Sequence, residues 1–419
     1  MNKRDFLKIF GTAAIGSPFL SLDLSSNHKF EDYSKRNDLS ETDFWKKIRG
    51  DYTLKKDYIN LENGYYCIVP NPTLNNFITH VKKINIEGSY YMRHHRDKDN
   101  KRIEARLANF LNCEPEELVV TRNTTESLDL IIGGFPWKKG DEAIYAMQDY
   151  GAMQDMFKLV SKRHGVVNKI VSVPNHPKSD EEIVKLYEDQ ITSKTKLIMV
   201  CHMINITGHI LPIRKICDMA HKHGVEVMVD GAHCVGHFKV NISELNCDYY
   251  GSSLHKWLST PLGVGILYVS KNKISKINPL LASHVHQQDN ILRLNHIGTH
   301  PVYTDLAIDN ALDYQEMIGT DRKENRLRYI QRYWSDRLRK VKNVVLNTPI
   351  EKHKSCGIAN VGIKNMDPGK LSKILFDKYQ IFTVAINHEN VVGCRISPNV
   401  YTNQEDLEHF ISSMKEIAA

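Results

Sequence analysis

The most reactive candidate side chain in this sequence is a lysine whose neighbours could lower its pKa. Lys256 follows the small residues Ser252 and Ser253, and mostly apolar residues follow it up to Gly265. A lysine in a partly desolvated pocket has a lowered pKa, so that more of it is a free amine. A free amine can form a Schiff base with an aldehyde. From these residues alone, an ordinary surface lysine remains the alternative.

Hydroxyl groups near Lys256 and in a second segment could bind an anion. Ser253 and His255 lie just before the lysine. Residues 121–127 read Thr-Arg-Asn-Thr-Thr-Glu-Ser and lie between a strand-like run and a helix-like run. Hydroxyls and backbone N–H groups at a helix N-terminus form an anion site. The second segment is equally typical of a plain helix cap, so by itself it predicts no ligand.

The third candidate residue is an aspartate at the end of an apolar stretch. Asp230 lies in Val229-Asp230-Gly231-Ala232-His233, at the end of an apolar strand-like stretch. Open α/β sheets bind ligands at the carboxyl ends of their strands. An aspartate there can pair with a protonated pyridine nitrogen, which is what makes pyridoxal phosphate (PLP) an electron sink. Taken alone, Asp230 fits a helix cap or a metal ligand equally well.

The elements that would position these residues alternate along the chain. Helix-like segments separate short apolar runs, and the pattern predicts a parallel or mixed sheet covered on both faces. The predicted strands are residues 118–121, 142–146, 170–173, 197–200, 225–229 and 265–269. Before them, Ser40 is predicted to open a helix with Asp43 in the capping-box position. After them come a long helical stretch over 306–340 and a smaller α+β unit.

Together and in this order, the motifs resemble the class V aminotransferase family of fold-type I PLP enzymes. The most specific part is Ser253-x-His255-Lys256 downstream of Asp230-x-Ala232-His233, and the likeness covers residues 44–414. The resemblance implies an α/β protein with a large domain, built on a mostly parallel seven-stranded sheet, and a smaller α+β domain. The expected divisions are an export signal and linker (1–38), a segment joining the small domain (39–75), the large PLP-binding domain (76–305), and a long helix with the small C-terminal domain (306–419).

The resemblance also implies a role for each matched position in cofactor binding. Lys256 would hold PLP as a Schiff base, and Asp230 would hold the pyridine nitrogen. The phosphate would be held by Thr124 (through its backbone), Thr125, Ser253 and His255. Tyr150 matches the aromatic residue that stacks on the ring, where many members carry histidine, and Asn205 and His233 would lie near the ring hydroxyl.

Two further positions follow from the same resemblance. Thr299 matches a residue that reaches the phosphate of the neighbouring subunit, which implies a homodimer with a shared active site. Arg395 matches the family's C-terminal arginine, and its planar fork suits the carboxylate of an amino acid or an amino-acid derivative. Contacts to the substrate side chain are assigned to Tyr65, Tyr66 and the segment 90–93.

The N-terminus predicts export in folded form. Lys3-Arg4-x-Phe6-Leu7-Lys8 precedes a short apolar stretch, residues 9–22. This layout resembles a twin-arginine signal in which lysine replaces one arginine, and it predicts a periplasmic enzyme. The apolar stretch is too short for a stable membrane anchor. The alternative is an amphipathic N-terminal helix on a cytoplasmic protein.

Charge and cysteine usage argue against other classes of function. The net charge is +7 over 419 residues, but the basic residues are scattered, so nucleic-acid binding is not expected. The eight cysteines include no CxxC pair and the histidines form no HExxH motif, so no metal site is expected.

Several reactions share the first steps of amino-group chemistry on PLP. Transamination, epimerisation and elimination are all compatible with these residues, and aminotransferase or epimerase chemistry is the leading hypothesis. The alternatives are a PLP-dependent C–S lyase or other elimination and, in another class, a non-catalytic PLP-binding or amino-acid-binding protein. A cysteine desulfurase is not expected, because residues 382–393, ahead of Arg395, contain no cysteine to attack the substrate sulfur.

Overall fold

The computed structural model describes residues 40–419, and the predicted export signal lies outside the described residues. The first helix, α1, spans Glu41–Gly50. The Ser40 hydroxyl accepts a hydrogen bond from the backbone N–H of Asp43 at 3.2 Å and donates to the Asp43 carboxylate at 2.6 Å. The predicted helix start at Ser40 is therefore confirmed. Phe44, Trp45 and Ile48 form its buried face.

The large domain is built on the predicted seven-stranded sheet. Its strands, numbered in chain order after a short β1 at Ile59–Asn60, are β2 (Leu118–Thr121), β3 (Glu142–Ala146), β4 (Val167–Val171), β5 (Thr195–Cys201), β6 (Glu226–Asp230), β7 (Tyr249–Ser253) and β8 (Gly265–Val269). The spatial order is β2-β8-β7-β6-β5-β3-β4. All pairings are parallel except those of β8, which runs antiparallel to β2 and to β7.

Helices cover both faces of this sheet. They are α2 (Asn71–Glu87), α3 (Ser89–His94), α4 (Arg96–Leu111), α5 (Thr124–Gly134), α6 (Gly151–His164), α7 (Asp180–Glu188), α8 (Ile213–Lys222) and α9 (Ile242–Leu245). Successive residues of one strand enter different apolar clusters. Val227 and Val229 pack into one cluster, and Met228 between them packs into another. Burial on both faces explains why these strands read as continuous apolar runs.

The predicted helical stretch over 306–340 is two helices rather than one. α10 spans Val302–Ile318 and α11 spans Thr320–Leu338. Gly319 between them has φ +84°, a conformation that favours glycine and cannot continue a right-handed helix. The prediction of one long helix was therefore wrong, because the apolar spacing continues across a glycine that redirects the chain.

The C-terminal part is a four-stranded antiparallel sheet of order β12-β13-β10-β9 with two helices. Its elements are β9 (Val344–Leu346), β10 (Ala359–Ile363), α12 (Pro368–Tyr379), β11 (Ile381–Phe382), β12 (Val384–His388), β13 (Val391–Ile396) and α13 (Gln404–Ala418). β1 pairs in parallel with β11, which brings the N-terminal segment against this part. Within residues 40–419, no helix is both long and apolar enough to cross a membrane.

Candidate active site

A cavity of about 320 Å³ opens at the carboxyl ends of β5, β6 and β7. It gathers every residue predicted to bind the cofactor or the substrate carboxylate except Thr299. The predicted residues that line it are Thr124, Thr125, Tyr150, Asn205, Asp230, His233, Ser253, His255, Lys256 and Arg395. Thr299 is exposed in the loop before α10, where one chain alone gives it no role at this cavity. Its predicted role in a neighbouring subunit stays a prediction.

Lys256 lies in the turn after β7 and lines the cavity. The Nζ atom is 3.1 Å from Nε2 of His233. The pKa of Lys256 is lowered to about 8: desolvation is the main cause, the negative charge of Asp230 opposes it, and the nearby Arg395 guanidinium adds to it. At pH 7 about a tenth of this amine is therefore uncharged and nucleophilic, far more than of an ordinary lysine.

Asp230 ends β6 and is buried in the wall of the cavity. Burial raises the pKa of its carboxyl, whereas the backbone N–H of Ala232, at 2.9 Å from Oδ1, and the Lys256 amine lower it. A buried carboxylate with one oxygen held by the backbone is suited to a cationic ring nitrogen. The carboxyl fits the role of a pyridinium partner.

The residues predicted to bind the phosphate lie where β2 turns into α5. Asn123 caps α5, and its side chain accepts from the backbone N–H of Glu126 at 2.9 Å. The Thr124 N–H donates to Ser253 Oγ at 2.9 Å, and the Thr124 and Ser253 hydroxyls are 2.7 Å apart. Thr124 is thus joined to the site through Ser253, a link that the sequence did not reveal. A helix N-terminus with two hydroxyls beside it is suited to a phosphate.

His255 supports the same assignment. Over residues 40–419 its Nδ1 is one of the buried polar atoms without a hydrogen-bond partner, and the ring lines the cavity. Burial and the nearby Lys256 lower the pKa of His255 to about 4. A buried ring nitrogen that lacks a partner is costly unless a ligand supplies one. A phosphate at the start of α5 fits that requirement.

Arg395 lines the cavity but is already paired with an acid that sequence reasoning missed. Its Nη2 and Nε contact the two carboxylate oxygens of Glu62 at 2.5 and 3.1 Å, and both side chains are buried. Its Nη1 lies 3.4 Å from the backbone oxygen of Asn205. The Nε–Nη2 edge of the guanidinium is thus occupied by Glu62, whereas Nη1 has only a long contact with a backbone oxygen.

The ion pair of Glu62 and Arg395 is held by further contacts. Glu62 also accepts hydrogen bonds from the Tyr65 N–H at 2.9 Å and from the Ser397 hydroxyl at 3.1 Å. A Cβ placed on Gly64 would lie 2.6 Å from the guanidinium carbon of Arg395, so the glycine is required for this close packing. Arg395 is therefore fixed in place. The sequence signal that could have revealed Glu62 is an acid directly after a strand-like run, next to Asn63-Gly64.

The predicted contacts to the substrate side chain are only partly correct. Tyr65 lines the cavity and is largely exposed. Tyr91 is buried, and its hydroxyl donates to Asp99 at 2.9 Å. Tyr66, Tyr90 and Arg93 do not line the cavity either. Within one chain, Tyr91 packs against α4 through Asp99, and Tyr90 is exposed.

The comparisons with known proteins place the chain in a family. The family model for aminotransferase class-V matches residues 73–410, and the chain belongs to this family. It is a PLP-dependent enzyme of the α/β, fold-type I architecture. The predicted family and cofactor are confirmed.

Individual relatives are remote. Isopenicillin N epimerase of Amycolatopsis lactamdurans is 26% identical over 332 residues, which cover 75% of this chain and 83% of that protein. A probable cysteine desulfurase of Halalkalibacterium halodurans is 27% identical over 324 residues, which cover 72% and 77%. The chain is therefore similar to proteins named for two different reactions.

Solved structures show the same fold. The apo cysteine desulfurase of Thermococcus onnurineus NA1 aligns with a TM-score of 0.79 at 22% identity, covering 89% of this chain and 98% of that one. A variant of C-DES with glycine covalently linked to the PLP cofactor aligns with a TM-score of 0.80 at 18% identity, covering 88% and 99%. At this level of identity the likeness establishes the architecture.

Proposed function

We propose that this enzyme moves a proton at the α-carbon of an amino acid, with transamination or epimerisation as the outcome. The single observation that supports this most is the placement of the Lys256 amine in a cavity that also contains Asp230 and Arg395. A base, a pyridinium partner and a carboxylate binder within one small cavity are what a proton transfer next to an amino group requires.

Each residue has a defined task in this proposal. Bound PLP supplies an electron sink that makes the α-proton of the substrate acidic. Arg395 holds the substrate carboxylate through its Nη1 edge and thereby orients the α-carbon toward Lys256. Lys256 Nζ accepts the α-proton and returns it to the substrate. Asp230 would favour the protonated form of the ring nitrogen, because its carboxylate supplies a negative charge in the wall of the cavity.

The outcome is tested by following a panel of amino acids and 2-oxo acids in D₂O with the PLP-loaded protein. Transamination gives a 2-oxo acid matched by a new amino acid, and epimerisation gives the opposite enantiomer without an oxo acid. Both exchange the α-hydrogen for deuterium. Binding without exchange on any amino acid would contradict the proposal and favour a binding protein. Release of ammonia or a sulfur product would favour elimination instead.

We further propose that the enzyme is not a cysteine desulfurase. The stretch ahead of Arg395 is the hairpin of β12 and β13, and it is tied to the large domain. Asn390 in its turn accepts from the Gln148 side chain at 2.9 Å and donates to the Val173 carbonyl at 3.1 Å. A mobile loop with an attacking cysteine, which desulfurases of this family need, has no counterpart in this tied hairpin.

One cysteine does line the cavity and provides the test. Cys201 ends β5, is buried, and has a thiol pKa raised well above its ordinary value by burial and by the negative charges of Asp149 and Asp230. Such a thiol is a poor nucleophile. With cysteine and a reductant, we expect no sustained sulfide release from the native protein or from Cys201→Ala. Sustained release that is lost in Cys201→Ala would overturn this assignment.

Two properties of the whole protein belong to the proposal. The sequence of residues 1–22 favours export in folded form, and fractionation of the native host should find the mature protein outside the cytoplasm. Full-length protein found only in the cytosol would reject export.

The position of Thr299 in an exposed loop favours a homodimer in which this residue reaches the partner's phosphate site. Thr299→Ala should weaken PLP binding without altering the spectrum of the bound form, and a monomer in sedimentation would reject the shared site.

A further inference from the structure

Next to Lys256 lies a tryptophan that the family motif does not explain. Trp257 is fully buried, and its indole Nε1 donates to Nδ1 of His233 at 3.3 Å. The other ring nitrogen of His233, Nε2, is 3.1 Å from Lys256 Nζ. We propose that Trp257 is a positioning residue that fixes the tautomer of His233 and, through it, favours the uncharged form of the Lys256 amine. This inference rests on the proposed role of Lys256 as the PLP-binding amine and base.

The tautomer follows from what each group can do. An indole N–H can only donate, so His233 Nδ1 must be the acceptor and carries no proton. Burial lowers the pKa of His233 well below its ordinary value, so the ring is neutral. A neutral imidazole then has its single proton on Nε2, directed at Lys256 Nζ. An ammonium group has no lone pair to accept it. The contact is therefore satisfied only when Lys256 is a free amine.

The indole cannot turn away from His233. Its ring stacks on His237 with 3.7 Å between ring centroids and 20° between planes. The Trp257 carbonyl accepts from Lys323 Nζ at 2.6 Å. His237 in turn holds the backbone of His233, because its Nδ1 lies 2.8 Å from the His233 carbonyl while its Nε2 accepts from the Gly357 N–H at 2.7 Å.

Other groups also act on the Lys256 amine. Charged or titratable side chains face it from the strands and loops around the cavity: Asp230, Arg395, Cys67, Cys201 and His255. Asp230 favours the ammonium form and Arg395 disfavours it. The His233 N–H adds a contact that the ammonium form cannot use. After Lys256 accepts a proton from the substrate, its ammonium group and the Nε2–H of His233 are two donors in contact. Lys256 therefore returns the proton readily to the substrate carbon.

The test is Trp257→Phe, which removes the N–H and keeps a ring that can stack on His237. His233 can then carry its proton on Nδ1 and accept from an ammonium through Nε2, so the pKa of Lys256 should rise by about one unit. The readout is the rate at which the apoprotein captures PLP, followed by absorbance between pH 6 and pH 10.5. At pH 7 capture should be about tenfold slower than in the native protein, with the difference closing at high pH.

A matched control is available in the small domain. Trp334 is as fully buried as Trp257, and for residues 40–419 its indole nitrogen is among the buried polar atoms without a partner. Trp334→Phe should therefore leave the pH profile of PLP capture unchanged. A Trp257→Phe profile that coincides with that of the control would overturn the inference while leaving the role of Lys256 intact.

A second measurement needs no substitution. In native apoprotein with ¹⁵N-labelled histidine, long-range ¹H–¹⁵N correlation spectra report which ring nitrogen of each histidine carries the proton. We expect His233 to be protonated on Nε2 and His237 on Nδ1. His233 protonated on Nδ1 would overturn the inference even if Trp257→Phe failed to fold. Failure of the native apoprotein to capture PLP at any pH would instead defeat the proposed function.

Discussion

The two halves of the cavity are built in different ways. The half around Lys256 and Asp230 is formed by residues at the carboxyl ends of β6 and β7, which are neighbouring strands of one sheet. The half around Arg395 joins two residues 333 positions apart, since its partner Glu62 lies in the N-terminal segment. The first half was predictable from local motifs, because the carboxyl ends of parallel strands meet at one edge. The second half depends on how two distant segments pack, and a one-dimensional pattern does not show that.

The largest effect is expected in the first half. The purified protein should be yellow, and Lys256→Ala should lose the colour and about 10²–10⁴-fold of turnover, the range for loss of a positioned general base. Lys323→Gln is the control for colour alone: Lys323 is a second buried lysine whose pKa desolvation lowers to about 8 and does not line the cavity, but it holds the Trp257 carbonyl, so its turnover is not compared. This variant should stay yellow. A colourless native protein that gains no visible band with added PLP would contradict the account.

Asp230 should separate cofactor binding from chemistry. In Asp230→Ala the phosphate site and Lys256 remain, so some PLP should still bind. Turnover should fall on the order of a hundredfold, because the charge that faces the ring nitrogen is gone. Absorbance titration with PLP and single-turnover rates measure the two effects separately. Equal turnover in the variant and the native protein would remove Asp230 from the mechanism.

In the second half, Glu62→Gln should lower the stability of the protein. It leaves the buried Arg395 guanidinium without its charge partner, and removal of one member of a buried pair costs about 3 kcal/mol in the free energy of unfolding. Urea denaturation measures this loss. The control is Glu416→Gln, which breaks the exposed pair of Glu416 with Lys378 and should leave stability almost unchanged. A Glu62→Gln protein as stable as the native one would show that the pair is not closed in solution.

Arg395→Lys should give the smallest of these effects. Lysine keeps the positive charge but cannot pair with both Glu62 oxygens and present a further N–H to the substrate carboxylate, so the KM for amino acids should rise about tenfold. The value of kcat should change little. Steady-state rates on an amino acid and on its decarboxylated amine provide the comparison. Equal activity on both in the native protein would mean that Arg395 does not bind a substrate carboxylate.

The same contrast explains what the sequence could predict of the fold. Strands buried on both faces gave apolar runs, and β2, β3 and β8 have the predicted bounds. β7 was not predicted as a strand, because Tyr249–Ser253 ends in small polar residues that serve the site rather than the core. The predicted strand 170–173 begins three residues later than β4, which spans Val167–Val171. Several residues of β4 are only partly buried, so they interrupt the apolar pattern.

Within the site, the family motif located the residues but not the connections between them. The hydrogen bonds from Thr124 to Ser253 and from Trp257 to His233 join segments that are adjacent only in the folded sheet. Such contacts leave no periodic signal in the sequence. Trp257 reads as one more apolar residue after a lysine, and only the structure shows that its N–H is directed at a functional histidine.

The most direct test of the central claim is to identify the lysine that holds PLP. The PLP-loaded protein is reduced with borohydride, digested, and analysed by mass spectrometry for the pyridoxyl-phosphate mass on each lysine. We predict the label on Lys256, with Lys323 in the same sample as an internal control that remains unlabelled. When apoprotein is instead mixed with PLP for a fixed short time before borohydride is added, labelling at pH 7 should be slower than at pH 9, because below the lowered pKa of about 8 most of the Lys256 amine is protonated. A label on Lys323 or on another lysine, with Lys256 unmodified, would contradict the account.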